Sequence, residues 1–182
     1  RSTNDLEVFL RLWCYSLQQG SVSPQNISFS DAVNATRNTF TQVDGAYAVV
    51  GILENMGLFA FRDPQGIRPL VLGRKITDNG IFHCVASETS ALDFLEYEIL
   101  RDVLPGELIF ISPEGNLHSK IVRNEKKNAH CMFEWVYFAG AESQLDDKSV
   151  YRSRLNLGKV LAKRVTAAIE RGEIEPDIVC PV

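Results

Sequence analysis

The sequence predicts an α+β fold in which a largely antiparallel sheet is accompanied by separate helices. Two segments with helical spacing of apolar residues come first, and several short apolar runs separated by turn residues follow them. This order, with strands grouped together rather than alternating with helices, is typical of the α+β class. A chain of 182 residues with 45% hydrophobic and 23% charged residues has an ordinary globular composition and enough length for a buried core.

The net charge, the lengths of the apolar runs and the spacing of the cysteines restrict the classes of protein that the sequence fits. The net charge is -4, and no long run of one sign suggests binding to nucleic acid or to an anionic membrane. No apolar run reaches the roughly 18 residues of a membrane span, and no signal-peptide pattern opens the chain. Four cysteines lack CxxC spacing, which favours reduced thiols in a cytoplasmic protein. These are Cys14, Cys84, Cys131 and Cys180.

The first two elements are predicted helices. Apolar residues recur at helical spacing over residues 5–18, where Gly20 would end the helix, and again over residues 28–40. Asp5 lies at the start of the first helix, where a carboxylate often caps the backbone amides. From the residues alone, capping and a functional role for Asp5 remain equally open.

A strand–turn–strand unit follows an uncharged, β-rich run at residues 46–53. Short apolar runs at 57–61 and 70–72 flank residues 62–68, which we call the polar turn. Its Asp-Pro-Gln-Gly sequence favours a tight turn, and we expect Asp63 to accept hydrogen bonds within it and Gly66 to have positive φ. The two runs would form a hairpin, with an Arg–carboxylate fork inside the turn. The turn is either a rigid loop or a support for a neighbouring site.

The later elements have weaker signals. We predict a strand at 80–85, a helix at 90–95 capped by Ser87 and Glu88, and a hairpin closed by Glu114 to Asn116. Residues 123–130 form a polar linker. The aromatic-rich residues 131–139 indicate a core strand or tight helix, residues 149–171 a long helix, and residues 176–182 a buried strand.

Several of these segments resemble amidophosphoribosyltransferases, the glutamine-dependent enzymes that open de novo purine synthesis. The matching motifs are Phe61-Arg-Asp-Pro-Gln-Gly-Ile-Arg-Pro-Leu70, Thr3-Asn-Asp-Leu-Glu-Val8, Val85-Ala-Ser-Glu-Thr89, the block from Cys131 to Ala139, and Ser149-Val-Tyr151 with Arg154 and Gly158. One departure stands out. Relatives usually have Arg-Pro-Asp where this chain has Gly140-Ala141-Glu142, so any contact made by that arginine is in doubt.

The resemblance implies two partial domains. Residues 1–122 would be the later part of the αββα sandwich of an N-terminal-nucleophile hydrolase, the glutaminase domain of type 2 glutamine amidotransferases. Residues 131–182 would begin a type I phosphoribosyltransferase domain, with residues 123–130 between them. The family's N-terminal cysteine nucleophile and its phosphoribosyl pyrophosphate loop match nothing in this sequence. We therefore expect no catalytic residue here and no activity from the segment alone.

The resemblance also assigns roles, ligands and partners. Asp5 matches the aspartate that binds the α-amino group of glutamine, and we expect Tyr151 to line the ammonia route where the two domains meet. The longer enzyme would use magnesium bound outside this chain, and neither an iron–sulfur cluster nor a metal site is expected here. Its substrates would be glutamine and phosphoribosyl pyrophosphate, its feedback inhibitors purine nucleotides, and its assembly a homo-oligomer.

Two alternatives stay open. The first is another type 2 glutamine amidotransferase, such as glucosamine-6-phosphate synthase, although that enzyme lacks the Ser-Val-Tyr helix and the terminal strand. The second is a non-catalytic binding module derived from the same fold.

Overall fold

The computed structural model describes residues 4–20, 27–125 and 127–180. Within these ranges the chain forms four α-helices, a single π-helical turn and nine strands. The helices are α1 (Leu6–Gly20), α2 (Phe29–Gln42), α3 (Thr89–Phe94) and α4 (Val150–Glu170), and the π-helical turn is Glu134–Phe138. The strands are β1 (Ala48–Leu53), β2 (Gly57–Arg62), β3 (Val71–Thr77), β4 (Gly80–Ala86), β5 (Glu98–Asp102), β6 (Glu107–Ile111), β7 (Leu117–Ile121), β8 (Gln144–Leu145) and β9 (Lys148–Ser149).

The strands form antiparallel sheets, as the sequence predicts. One sheet has the order β1-β2-β6-β7, a second has the order β4-β3-β5, and β8 pairs with β9 in a short ribbon. The mixed content of helices and antiparallel strands confirms the α+β class. No described helix has both the length and the apolar character needed to cross a membrane.

An aromatic core lies between the four-stranded sheet and the first two helices. Trp13 of α1 stacks on Phe59 of β2 with ring centroids 4.0 Å apart, and its indole N–H donates to Thr36 Oγ1 of α2 at 3.1 Å. Gly51 faces the Phe59 ring so closely that a Cβ would lie 2.3 Å from it. A capping box between Ser28 and Asp31 begins α2. Capping and core packing therefore both stabilise the helical elements of this region.

The hairpin predicted around the polar turn is wrong. β2 pairs with β1 on one side and β6 on the other, so it has no free edge for β3. β3 instead forms the centre of the second sheet, between β4 and β5. The polar turn therefore carries the chain from one sheet to the other.

The structure also contains strands that the sequence analysis missed. β3 continues to Thr77, and β5 and the β8–β9 ribbon were not predicted. Charged residues begin and end β5, and β8 and β9 have two residues each, so neither has the long apolar alternation that marks a strand.

The C-terminal part differs most from expectation. The aromatic block forms the π-helical turn, but Phe133, Tyr137 and Phe138 are more than half exposed and Glu134 is buried instead. The long helix α4 is confirmed, with Ser149 Oγ accepting from the Arg152 amide as its N-cap. The strand predicted at 176–182 is wrong over its described residues 176–180, which are exposed and pair with no described strand. Its last two residues lie outside the described ranges.

Candidate functional site

Asp63 organises the polar turn from within. Its carboxylate is fully buried and accepts hydrogen bonds from the backbone amides of Gln65, Ile67 and Arg68, each at 3.0 Å. A fourth, longer contact of 3.4 Å comes from the Tyr47 amide of the preceding strand region. Gly66 has φ of +66°. Both expectations about this turn are confirmed, and a buried negative charge is stabilised by converging amides.

Arg62, the first residue of the polar turn, binds a segment that lies much later in the sequence. Its side chain is 1% exposed, and each of its five N–H groups can be assigned an acceptor. Three of these bonds go to backbone carbonyls and two form a bidentate fork to Asp146 at 2.8 and 2.9 Å. The expected fork inside the turn is therefore wrong, because the partner carboxylate lies 84 residues later in the chain.

Further contacts join the polar turn to the same later segment. The amide of Ala129 donates to the Gln65 carbonyl at 2.8 Å, and that of Cys131 donates to the Ile67 carbonyl at 3.3 Å. Arg68 forms an ion pair with Glu134. We call this set of contacts between residues 62–68 and residues 129–146 the polar bridge. Its existence favours the interpretation of the turn as a support for a neighbouring site.

Asp146 occupies an unusual backbone position. It and Asp147 both have positive φ, 47° and 60°, as the tight turn between β8 and β9 requires. Asp146 Oδ2 also lies 2.9 Å from His130 Nδ1. Burial raises the pKa of the nearby Asp102 carboxyl; a hydrogen bond from the Asp146 backbone and the charge of Arg62 oppose this effect, and the negative charges of Asp146 and Asp147 add to it. The Arg62 end of the bridge is thus a partly buried group of acids around one arginine.

Glu134 is the second buried acid of the bridge. Its Oε1 lies 2.8 Å from Arg68 Nη1 but has no aligned hydrogen bond, so the contact is an ion pair without a directed N–H donor. Burial raises the pKa of this carboxyl, the neighbouring Glu88 raises it further, and Arg68 opposes both. Desolvation therefore outweighs the ion pair at this position.

Glu88 has a role different from the predicted helix cap. It occupies the N-cap position of α3, but its side chain makes no capping hydrogen bond. Its Oε2 instead accepts from the Gly140 amide at 2.7 Å and from Ser143 Oγ at 3.1 Å. The carboxylate thereby holds the segment that follows the aromatic block in place.

The two predicted site residues lie at the starts of different helices. Asp5 is exposed just before α1, and the Leu6 amide donates to Asn4 Oδ1 rather than to Asp5. Tyr151 is 59% exposed in the first turn of α4, and its side chain lines an open groove of about 470 Å³ with Leu155, Gly158 and other residues. Within the described residues, no hydrogen bond, ion pair or ring contact joins Asp5 to Tyr151. Their functional roles stay predictions.

Sequence reasoning missed Asp146 and Glu134. The Asp146-Asp147 pair is a turn signal in itself, because aspartate tolerates the left-handed region. Glu134 is the single charged residue in an aromatic block, which could have marked it as a buried, paired acid. The described residues contain no group of three or more histidine, cysteine, aspartate or glutamate side chains that could hold a metal ion.

Comparison with known proteins gives consistent matches. No family model matches the chain. It is 36% identical over 182 residues to an amidophosphoribosyltransferase of Pseudomonas aeruginosa and 39% identical over 182 residues to that of Escherichia coli. Each match covers 100% of this chain and 35% of the relative, so the chain spans about a third of the length of these curated relatives.

Solved structures give the same result. A structure described as the allosteric regulatory enzyme of purine biosynthesis matches with a TM-score of 0.72 and 31% identity, over 90% of this chain and 32% of the other. Glutamine phosphoribosylpyrophosphate amidotransferase from Bacillus subtilis, complexed with ADP and GMP, matches with a TM-score of 0.71 at the same identity and coverage.

Proposed function

The chain is a segment of an amidophosphoribosyltransferase, and from this premise we propose that the longer protein makes 5-phosphoribosylamine from glutamine and phosphoribosyl pyrophosphate. The observation that carries this proposal is the match along all 182 residues at 36–39% identity. The reaction would be the first step of purine nucleotide synthesis. ADP and GMP in the Bacillus subtilis enzyme support purine nucleotides as further ligands of the longer protein.

The proposed reaction has two halves. A thiolate outside this segment attacks the side-chain amide of glutamine, which releases ammonia and forms a thioester, and water then hydrolyses this acyl-enzyme to glutamate and the free thiol. The ammonia then displaces pyrophosphate from the ribose carbon. Magnesium would bind the pyrophosphate, and we place its protein ligands outside this segment because the family resemblance puts the phosphoribosyl pyrophosphate loop there. We place residues 1–122 on the glutaminase side and residues 131–182 on the phosphoribosyltransferase side.

Asp5 would select glutamine by its charge. Its carboxylate is exposed, and the adjacent helix start is capped by Asn4, so the side chain is available to an external ammonium group. A charge-assisted hydrogen bond of this kind contributes about 1.5–3 kcal/mol, equivalent to about 10- to 150-fold in affinity.

The test uses the full-length protein. Asp5→Asn should raise the KM for glutamine by about 10- to 150-fold while leaving synthesis from free ammonia unchanged, because the ammonia reaction needs no α-amino contact. Asp78→Asn, at an exposed turn between β3 and β4, is the matched control and should change neither. An unchanged glutamine KM in the Asp5 variant would contradict this role.

Tyr151 would form one wall of the ammonia route. Tyr151 is exposed and borders the groove on the surface of α4, where a covering domain could enclose it. An aromatic ring excludes water while its hydroxyl remains available for hydrogen bonding. In the full-length protein, Tyr151→Ala should lower glutamine-dependent synthesis more than ammonia-dependent synthesis. Leu161→Ala, at an exposed position of the same helix outside this groove, is the control that should affect the two alike.

A further inference from the structure

We propose that Asp146 is a positioning residue for ammonia transfer, because its fork with Arg62 holds the first turn of α4 in place against the glutaminase sheet. This inference rests on the proposed function. It concerns a pair of residues that neither binds glutamine nor lines the groove beside Tyr151.

The sheet end of the fork is fixed. Arg62 ends β2, which pairs with strands on both sides, and its guanidinium is 1% exposed. Arg62 donates three hydrogen bonds to the backbone carbonyls of Gly66, Arg68 and Val103. Because every donor of Arg62 is engaged, its guanidinium is held in one orientation. Asp146 can form the fork only when its carboxylate matches that orientation.

The start of α4 follows Asp146 closely in the sequence. Asp146 lies in the tight turn before β9, and β9 leads directly into α4 through Ser149, its N-cap. Val150 is fully buried, and its amide donates to the Ser143 carbonyl at 3.0 Å. The Tyr151 amide donates to the Ala141 carbonyl at 3.1 Å. A shift of the Asp146 turn would therefore move the backbone that carries Tyr151.

The second ion pair of the bridge is a weaker constraint. Arg68 is 43% exposed and its contact with Glu134 is not an aligned hydrogen bond, whereas the Arg62 fork is bidentate with its arginine buried. Bidentate arginine–carboxylate pairs add directional specificity that a single ion pair lacks. Removal of the Asp146 carboxylate should therefore make the position of α4 relative to the sheet less fixed.

The decisive variant is Asp146→Asn in the full-length protein. Asparagine keeps the shape of the side chain and also tolerates positive φ, so the tight turn can form, but one charged fork oxygen is lost. We expect the ratio of glutamine-dependent to ammonia-dependent synthesis to fall at least about fivefold, the lower end of typical coupling between sites. A purely structural role would lower both activities in proportion and leave this ratio unchanged.

Asp147→Asn is the matched control. It changes the same residue type at the neighbouring position of the same turn, where φ is also positive, but Asp147 is not a partner of Arg62 in the described contacts. The ratio of glutamine-dependent to ammonia-dependent synthesis in this variant should equal that of the wild type. Arg62→Lys supplies an independent test, because lysine keeps a positive charge but cannot form a two-point fork, and it should lower the ratio.

The outcomes separate the inference from the proposed function. If the wild type makes product from both nitrogen sources and neither Asp146→Asn nor Arg62→Lys lowers the ratio, the positioning role is wrong while the proposed function stands. If the wild type makes no phosphoribosylamine from either source, the proposed function itself fails. A lowered ratio in both variants, with Asp147→Asn unchanged, supports the inference.

Discussion

The unit formed by α1, α2 and the four-stranded sheet differs from the region after residue 126 in how deeply its phenylalanine residues are buried. In the first, Phe59 and Phe61 are at most 7% exposed beneath the helices. In the second, Phe133 and Phe138 are 55% and 53% exposed, and Val150 is the single buried residue of the 21-residue helix α4. Aromatic content alone therefore does not determine burial. What differs is whether another described element covers the apolar face.

The two regions are consequently held in different ways. The first has a hydrophobic core of its own, formed by α1, α2 and the four-stranded sheet. The second is attached through the polar bridge and through a small apolar cluster that includes Leu92, Leu145 and Val150. Directional polar contacts fix orientation, and apolar burial supplies most of the free energy of folding. The following substitutions in the 182-residue chain test this contrast, from the largest expected effect to the smallest.

Removing the arginine of the bridge should have the largest effect. Arg62→Ala leaves Asp146 and three carbonyls without their donor, and loss of one partner of a buried pair costs about 3–5 kcal/mol of unfolding free energy. Arg74→Ala is the control, because its ion pair with Glu98 is exposed and should contribute at most about 1 kcal/mol. Equal losses in chemical denaturation would mean that the bridge is no stronger than a surface pair.

A pair of identical leucine truncations compares the two regions directly. Leu108→Ala, at a fully buried position in β6, should cost about 2–5 kcal/mol because it leaves a cavity. Leu161→Ala, at a position on α4 that is 60% exposed, should stay within about 0.5 kcal/mol. Urea unfolding of both variants measures the difference. A large loss at Leu161 would show that α4 is covered after all.

Two glycines with nearly the same φ separate backbone strain from steric contact. Gly172, at the end of α4, has φ of +67° and open space around it, so Gly172→Ala should cost about 1–2 kcal/mol. Gly66 has φ of +66°, but an added Cβ would lie 2.6 Å from Pro105 Cγ, so Gly66→Ala should cost more. Equal melting temperatures for the two variants would show that the polar turn can relax.

The smallest expected effect is a pH dependence at Glu134. Because burial raises its pKa above the ordinary 4.5, the folded chain favours the protonated form. This contribution is complete below the unfolded pKa and is lost as the pH rises through the folded pKa. Glu134→Gln does not titrate, so its stability relative to the wild type should increase from pH 4 toward pH 7. A relative decrease over that range would mean that the Arg68 ion pair outweighs desolvation.

The sequence was informative where structure depends on neighbouring residues. The capped helix α2, the uncharged strand β1 and the Asp63–Gly66 turn follow from local patterns and turn chemistry. It was less informative where partners lie far apart. Nothing near Arg62 indicates Asp146, and the apolar run at 176–180 has the composition of a strand but no described strand to pair with. The domain boundaries at 122 and 131 remain predictions.

We propose that this segment lies between glutamine hydrolysis and phosphoribosyl transfer in one protein. Glutamine labelled with ¹⁵N in its side-chain amide, given to the full-length protein with phosphoribosyl pyrophosphate and excess unlabelled ammonium, tests this directly. The account predicts phosphoribosylamine that carries the ¹⁵N label, with one pyrophosphate released per product. Product that carries only unlabelled nitrogen, or no pyrophosphate release with glutamine as the sole nitrogen source, would contradict it.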